Sequence, residues 1–279
     1  MRKTAVALSA FALAVTLGAC GGTDNGGDAT GTDSGNNGNN GGGTVVAANM
    51  ADLAKSIGDK TADESSAHMK LTADAAGQTI TGEGDVKFAA QDAAMSMDMS
   101  TSEGDMSMVL LDAALYIKLP QELEPGKAWI KIDSSSDSEL AKALGSMTEQ
   151  MSKNADPRAT LKEFEKSGEI TDSKEEELDG QKTTHYTITV DVQKLADGQT
   201  DETMKAALEE SIKGGLKDFE VDVWVNEEEL PVRIALDMPT PDPTTGATTT
   251  VKMQIDYTKW GEPVEITAPP AEQIAELPA

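Results

Sequence analysis

The chain has 279 residues, 49 of them acidic against 23 basic, a formal charge of −26 at pH 7 and a single cysteine. So acidic a composition leaves no basic patch with which to grip nucleic acid, and it disfavours electrostatic adhesion to anionic lipid headgroups. One cysteine also excludes an intramolecular disulfide, so stability has to come from a buried core.

The first element is a leader. Arg2 and Lys3 form a basic tip, residues 5–17 are apolar, and Gly18 and Ala19 stand directly before Cys20. This order predicts a secretory signal peptide over 1–19. At roughly 1.5 Å per residue the apolar run covers only about 20 Å of a hydrocarbon core near 30 Å, too short to span comfortably. Leu17-Gly18-Ala19-Cys20 resembles the lipobox of bacterial lipoproteins, which implies that the Cys20 thiol carries diacylglycerol and that the peptide is cut before it. A cleaved signal with a chance cysteine is the alternative. Loss of Arg2 and Lys3 leaves a mature charge of −28. Residues 20–44 are dominated by Gly, Asn, Asp and Thr without a large apolar side chain. Such a segment cannot offset its ordering entropy by burial and reads as a tether reaching some 25–30 Å. The folded domain is expected over 45–279, with 45–270 sufficient to fold and the turn at 153–156 its weakest internal point.

Within the domain the apolar residues recur mainly at every second position. After a helical pattern at 47–57 come runs at 66–74 and 78–88. Then follow Met95, Met97 and Met99; Met106, Met108 and Leu110; Leu115, Ile117 and Leu119; and Ile130 with Ile132. Residues 138–153 carry Leu140, Leu144, Met147 and Met151 at helical spacing, and Pro157 suits the first turn of a helix over 157–165. Strand patterns resume at 168–177, at Tyr186, Ile188 and Val190, and at Phe219, Val221, Val223 and Val225. They continue at Val232, Ile234, Leu236 and Met238 and end at Val251, Met253, Ile255 and Tyr257, with a helix at 203–212 between. Turn chemistry at Asp112, at Asp179-Gly180 and from Asn226 to Glu229 separates them. The expectation is an α+β fold: a single strongly curved antiparallel sheet of about eleven strands, a half-barrel with a few helices covering its concave face.

Chemistry for catalysis is sparse. His68 and His185 lie on predicted strands outside any hydrolase or zinc-protease motif, and His185, alternating with Tyr186, is expected to face water. Glu175 to Glu177 and Glu227 to Glu229 lack the alternating ligand spacing of a calcium loop. No enzyme activity and no cofactor are therefore expected. The unusual feature is thirteen methionines against four phenylalanines. Flexible, polarisable thioethers suit a wall that adapts to varied apolar ligands; they also pack ordinary cores, and soft thioethers select Cu(I). A Met-rich Cu(I)-binding envelope protein is thus an alternative reading, and a non-catalytic surface interaction domain is another.

Several stretches together resemble the LppX/LprG family of actinobacterial lipoproteins, whose fold is related to the LolA-type half-barrel. They are LGAC at 17–20, LYIKLP at 115–120, WIKID at 129–133, DGQKTTHYTITVDVQKL at 179–195, VDVWVNEEELPVRI at 221–234 and DYTKWGEPVEITAPP at 256–270. The resemblance implies a membrane-anchored, exported lipoprotein bearing palmitate-type chains on Cys20, on the extracytoplasmic face of the cell membrane. It also implies an apolar cavity that holds acyl chains of lipids or glycolipids for transport across the envelope. On the residues themselves, the candidate lining is Met97, Met99, Met106, Met108, Leu110, Leu115, Ile117, Val221, Val223, Ile234 and Leu236. Helices around Leu144 to Leu161 would form the cover.

Overall fold

The computed structural model describes residues 47–275 apart from 76, 89–92, 103, 113, 119, 121, 123, 133–156, 200–201 and 242–247. The leader, Cys20, the tether at 20–44, the turn at 153–156 and the helix expected at 138–153, with its Leu144, lie outside the described residues.

The chain enters through helix α1 (Met50–Glu64), whose amino end is closed by Asn49: its side-chain oxygen accepts the Asp52 amide at 3.0 Å. Met50, Leu53, Ile57 and Thr61 fall on one stripe and are buried. Ser65 then takes a left-handed conformation, φ 59°, and the chain turns into the sheet. The meander β1 (Ser66–Ala75), β2 (Gln78–Lys87), β3 (Ala94–Thr101), β4 (Gly104–Leu111), β5 (Ala114–Lys118) and β6 (Trp129–Ile132) forms half of it. Helix α2 (Pro157–Ser167) leads into β7 (Gly168–Leu178) and β8 (Gln181–Asp191). Helices α3 (Val192–Gly198) and α4 (Glu202–Lys213) follow, then β9 (Asp218–Asn226), β10 (Pro231–Pro241), β11 (Thr248–Thr258) and the two-residue β12 (Ile274–Ala275).

Among the described residues all twelve strands belong to one open, curved sheet in the order β12-β6-β5-β4-β3-β2-β1-β11-β10-β9-β8-β7. Every pairing is antiparallel except the last, β12 beside β6. The α+β half-barrel read from the alternation is therefore present. The twelfth strand was not foreseen, because two residues carry no period. Nor was α3, whose sequence VQKLADG is too short to show a helical stripe; Asp191 caps it by accepting the Lys194 amide at 2.9 Å. The turns match their chemistry, with Asp179 and Gly180 both at positive φ, 51° and 83°.

Helix α1 bridges half of the sheet. The Ala47 amide, three residues ahead of it, donates to Tyr186 Oη on β8 at 3.0 Å, while its carboxyl end is continuous with β1 and the Ser65 carbonyl accepts the Phe88 amide at 2.9 Å. From β8 to β1 there are four strand spacings, about 19 Å, against about 22 Å for fifteen helical residues. Helix α2 returns alongside it: Arg158 Nη2 donates to the Phe88 carbonyl at 3.0 Å, and Phe164 meets Phe219 edge-on at 6.2 Å. Residues of α1, α2 and α3 enter one continuous core with the inner face of the sheet.

The outer face is mostly polar, save where the closing segment lies on it. That segment starts from the inner core, where Trp260 stacks on Phe88 at 5.4 Å and donates its indole N–H to the Pro231 carbonyl at 3.0 Å. Beyond it, Val264 and Ile266 cover Ala94, Val109, Leu111, Tyr116 and Trp129. The chain then adds β12 to the β6 edge, shielding backbone groups that would otherwise invite another strand.

Candidate apolar binding face

Residues opposite one another in an antiparallel pair point to the same side, so the register maps the inner face row by row. One row runs Met106–Met99–Gly82–Leu71–Ile255–Ile234–Val223–Tyr186 over eight consecutive strands, β4 to β8. The next row towards α1 contains Ile130–Ile117–Met108–Met97–Gly84–Met69–Tyr257. On the other side lie Ile80–Ala73–Met253–Leu236–Val221–Ile188–Ile170.

All eleven residues singled out from the alternation stand on this face, and many are direct partners: Met97 with Met108, Met99 with Met106, Leu110 with Leu115, Ile234 with Val223 and Leu236 with Val221. Their surroundings differ. Leu110, Leu115, Val221 and Val223 are at most 2 % exposed and belong to the packed core, and Met97 and Ile234 are also buried. Met99, Met106, Met108, Ile117 and Leu236 are half-buried. Leu161 of α2 is buried against the same core, on the side where a cover was expected.

The half-buried residues are contiguous. To the Met99–Met106 end of the central row the register adds Leu71 and Ile255, and beside them Ile80, Met253 and Leu236, all half-buried. Leu71, Ile80, Ile255 and Met253 were absent from the lining drawn from the sequence. Their alternation was visible, since 66–74, 78–88 and Val251 to Tyr257 read as strands. What was missing was the order of strands, which seats β1 between β2 and β11 and so joins the first and last parts of the chain into one wall.

Two glycines interrupt this wall. A Cβ built on Gly84 would stand 1.9 Å from the Ser96 carbonyl oxygen and 2.8 Å from Met97 Cα, so β2 and β3 approach there as only glycine permits. At Gly82 the nearest atoms are Met97 Sδ at 3.1 Å and Met99 Cγ at 3.3 Å: two thioether side chains lean over the gap.

Polar chemistry gathers on the opposite face. His185 Nε2 contacts Asp222 Oδ1 at 2.7 Å, and Nδ1 lies 3.1 Å from Glu176 Oε1 without the alignment of a hydrogen bond. Its ring stacks on Trp224 at 4.0 Å. It is therefore on the side expected to face water, yet its side chain is only 11 % exposed because the indole covers it. Glu176 is held below the usual carboxylate range by hydrogen bonds from Lys174 and Trp224. On β1, His68 contacts Asp85 at 2.9 Å and Glu83 at 3.1 Å. Each ring nitrogen of both histidines has a carboxylate oxygen within 3.1 Å. Among the described residues no group of three or more His, Cys, Asp or Glu is arranged to hold a metal ion, and no helix is long and apolar enough to cross a membrane.

No family model matches the chain. An uncharacterised 31.2 kDa protein from the rplA–rplJ intergenic region of Streptomyces griseus is 31% identical over 111 residues, a stretch that spans 39% of this chain and 36% of that relative. Among solved structures, LprF from Mycobacterium bovis aligns over 78% of this chain and 97% of its own, at 13% identity and a TM-score of 0.46. A DUF1329 family protein from Desulfovibrio piger aligns over 78% and 93%, at 13% identity and a TM-score of 0.29.

Proposed function

We propose that this chain is an exported lipoprotein, anchored through Cys20 to the extracytoplasmic face of the cell membrane, that holds acyl chains of lipids or glycolipids on the inner face of its sheet and carries them across the envelope. It acts by binding and not by catalysis. The observation that carries this reading is the contiguous half-buried band of Met99, Met106, Leu71, Ile255, Met253 and Leu236. A surface of this kind, continuous with a packed core and left partly open, is what an apolar ligand completes. The row from Met106 to Ile234 crosses six strands, about 24 Å. An alkyl chain laid along it gains about 0.8 kcal/mol for each methylene removed from water, so affinity needs no sharp polar motif.

Native mass spectrometry of the full chain purified from envelopes tests the reading. Bound lipid is expected on the wild type and lost or much reduced on Met106→Trp and Met253→Trp, which fill the open band without touching the closed core. A lipid-free wild type that takes up no fatty acid refutes it. The anchor is tested separately: Cys20→Ser should release the protein from the membrane fraction or leave the leader uncleaved, and unchanged retention with normal processing removes that part.

One observation favours a second reading. The register sets Met97 opposite Met108 and Met99 opposite Met106, four thioethers on adjacent strands, a soft donor set for Cu(I). A cuprous titration under reducing conditions separates the two readings, because a carrier shows no stoichiometric high-affinity copper site.

A further inference from the structure

The methionines of the inner face fall into two groups by burial. Met50, Met69, Met95 and Met97 are 4–6% exposed; Met238, towards the end of β10, is half-buried against the same core, and Met99, Met106, Met108 and Met253 are half-buried at the open band. We propose that these last four form an oxidation-sensitive wall, through which an oxidant of the peroxide class switches off acyl binding; the inference rests on the carrier reading above.

The chemistry is a two-electron transfer. A thioether lone pair attacks one peroxide oxygen, the O–O bond breaks as the S–O bond forms, sulfur is oxidised to the sulfoxide and the peroxide is reduced to water. Rate follows exposure, so the open four react while the packed four are protected. The product turns an apolar, flexible side chain into one with a strong hydrogen-bond acceptor. Along the central row the neighbours of Met99 and Met106 are Gly82, Leu71 and Ile255, none with a side-chain donor to satisfy that oxygen. It therefore keeps its water, and an alkyl chain crossing the row would have to strip that water away without replacing it. The coupling is reciprocal: a bound chain covers the same sulfurs and slows their oxidation. Leucine would offer equal apolarity without this response.

The test uses the full chain carrying Cys20→Ser, so that its own acyl groups do not compete, with cis-parinaric acid as fluorescent probe and hydrogen peroxide as oxidant. Peptide mapping should show sulfoxide at Met99, Met106, Met108 and Met253 accumulating at least about tenfold faster than at Met50, Met69, Met95 and Met97, and the probe should slow it. Oxidised protein with unchanged circular dichroism should bind the probe at least about tenfold more weakly. The quadruple Met→Leu variant, close to volume-conserving, should lose the peroxide response: whatever its own affinity for the probe, peroxide should leave that affinity unchanged. Equal oxidation of both groups, or selective oxidation with undiminished probe binding, overturns this inference and leaves the carrier reading standing. Failure of the unoxidised wild type to bind the probe overturns both.

Discussion

Alanine at Gly84 and alanine at Gly82 are the same chemical change two residues apart on one face, and they should behave differently. At Gly84 the new methyl would meet backbone, with the Ser96 carbonyl oxygen 1.9 Å away. Reaching ordinary contact requires β2 and β3 to part by about 1.5 Å, which breaks or stretches the ladder bonds on either side of the Gly84–Met97 pair. Two weakened backbone bonds cost about 1–3 kcal/mol and overpacking strain about as much again. The reduced freedom of the unfolded chain returns only about 0.4–1 kcal/mol. Gly84→Ala should therefore destabilise by about 2–5 kcal/mol, a melting-point drop on the order of 10 °C for a domain of this size. At Gly82 the neighbours are the ends of Met97 and Met99, which can turn aside at about 0.5–1.5 kcal/mol, so Gly82→Ala should lie within about 1 kcal/mol of wild type. Urea denaturation followed by tryptophan fluorescence measures both. Equal midpoints for the two variants, or a neutral Gly84→Ala, would refute the claim that strand approach at Gly84 is what demands glycine.

Burial holds the Tyr186 hydroxyl above its ordinary pKa, against a smaller opposing contribution from the Ala47 amide. Its contribution is thus complete below about pH 10, where the unfolded phenol is still protonated, and is lost as pH rises through the folded value. Wild-type melting temperature should fall above pH 10 more steeply than that of Tyr186→Phe, which should lose about 0.5–1.5 kcal/mol at pH 7 from the missing Ala47 bond; parallel alkaline profiles would contradict this. Hydrogen bonds from Lys174 and Trp224 depress the Glu176 pKa, so the stabilisation is present above about pH 4.5 and lost as pH falls through the folded value. Thermal melts of Glu176→Gln should accordingly show a shallower loss of stability below pH 4.5 than wild type. Ile266, 7% exposed on the sheet-facing side of the closing segment, should cost about 2 kcal/mol or more when cut to alanine, measured by urea midpoint; a neutral result would mean the segment does not pack on the outer face.

Alternation carried most of the strand assignments, because a strand with one wet and one dry side must repeat every two residues. Most of the eleven longer strands and the common face of Met97, Met99, Met106 and Met108 follow from that, with turn residues marking the ends. The ends of the helices were less legible: α1 continues to Glu64 through Gly58, Asp59 and Lys60, where the stripe thins to Ile57 and Thr61. Length decides why β12 and α3 escaped, since neither is long enough to display a period.

Tertiary structure alone decided what covers the face and what leaves it open. Period two says that Leu110 and Met106 point the same way; it cannot say that Leu110 is closed within the core while Met106 sits in the open band. That difference depends on which strands neighbour one another and on where α1 and α2 cross them. The same holds for His185, assigned to the wet side by its neighbour Tyr186 and yet covered by a tryptophan thirty-nine residues further along the chain. Local sequence dictates direction because backbone geometry is local. Exposure is set by residues distant in the chain, and only the fold brings Leu71 of β1 beside Ile255 of β11 to make one wall from the chain's two ends.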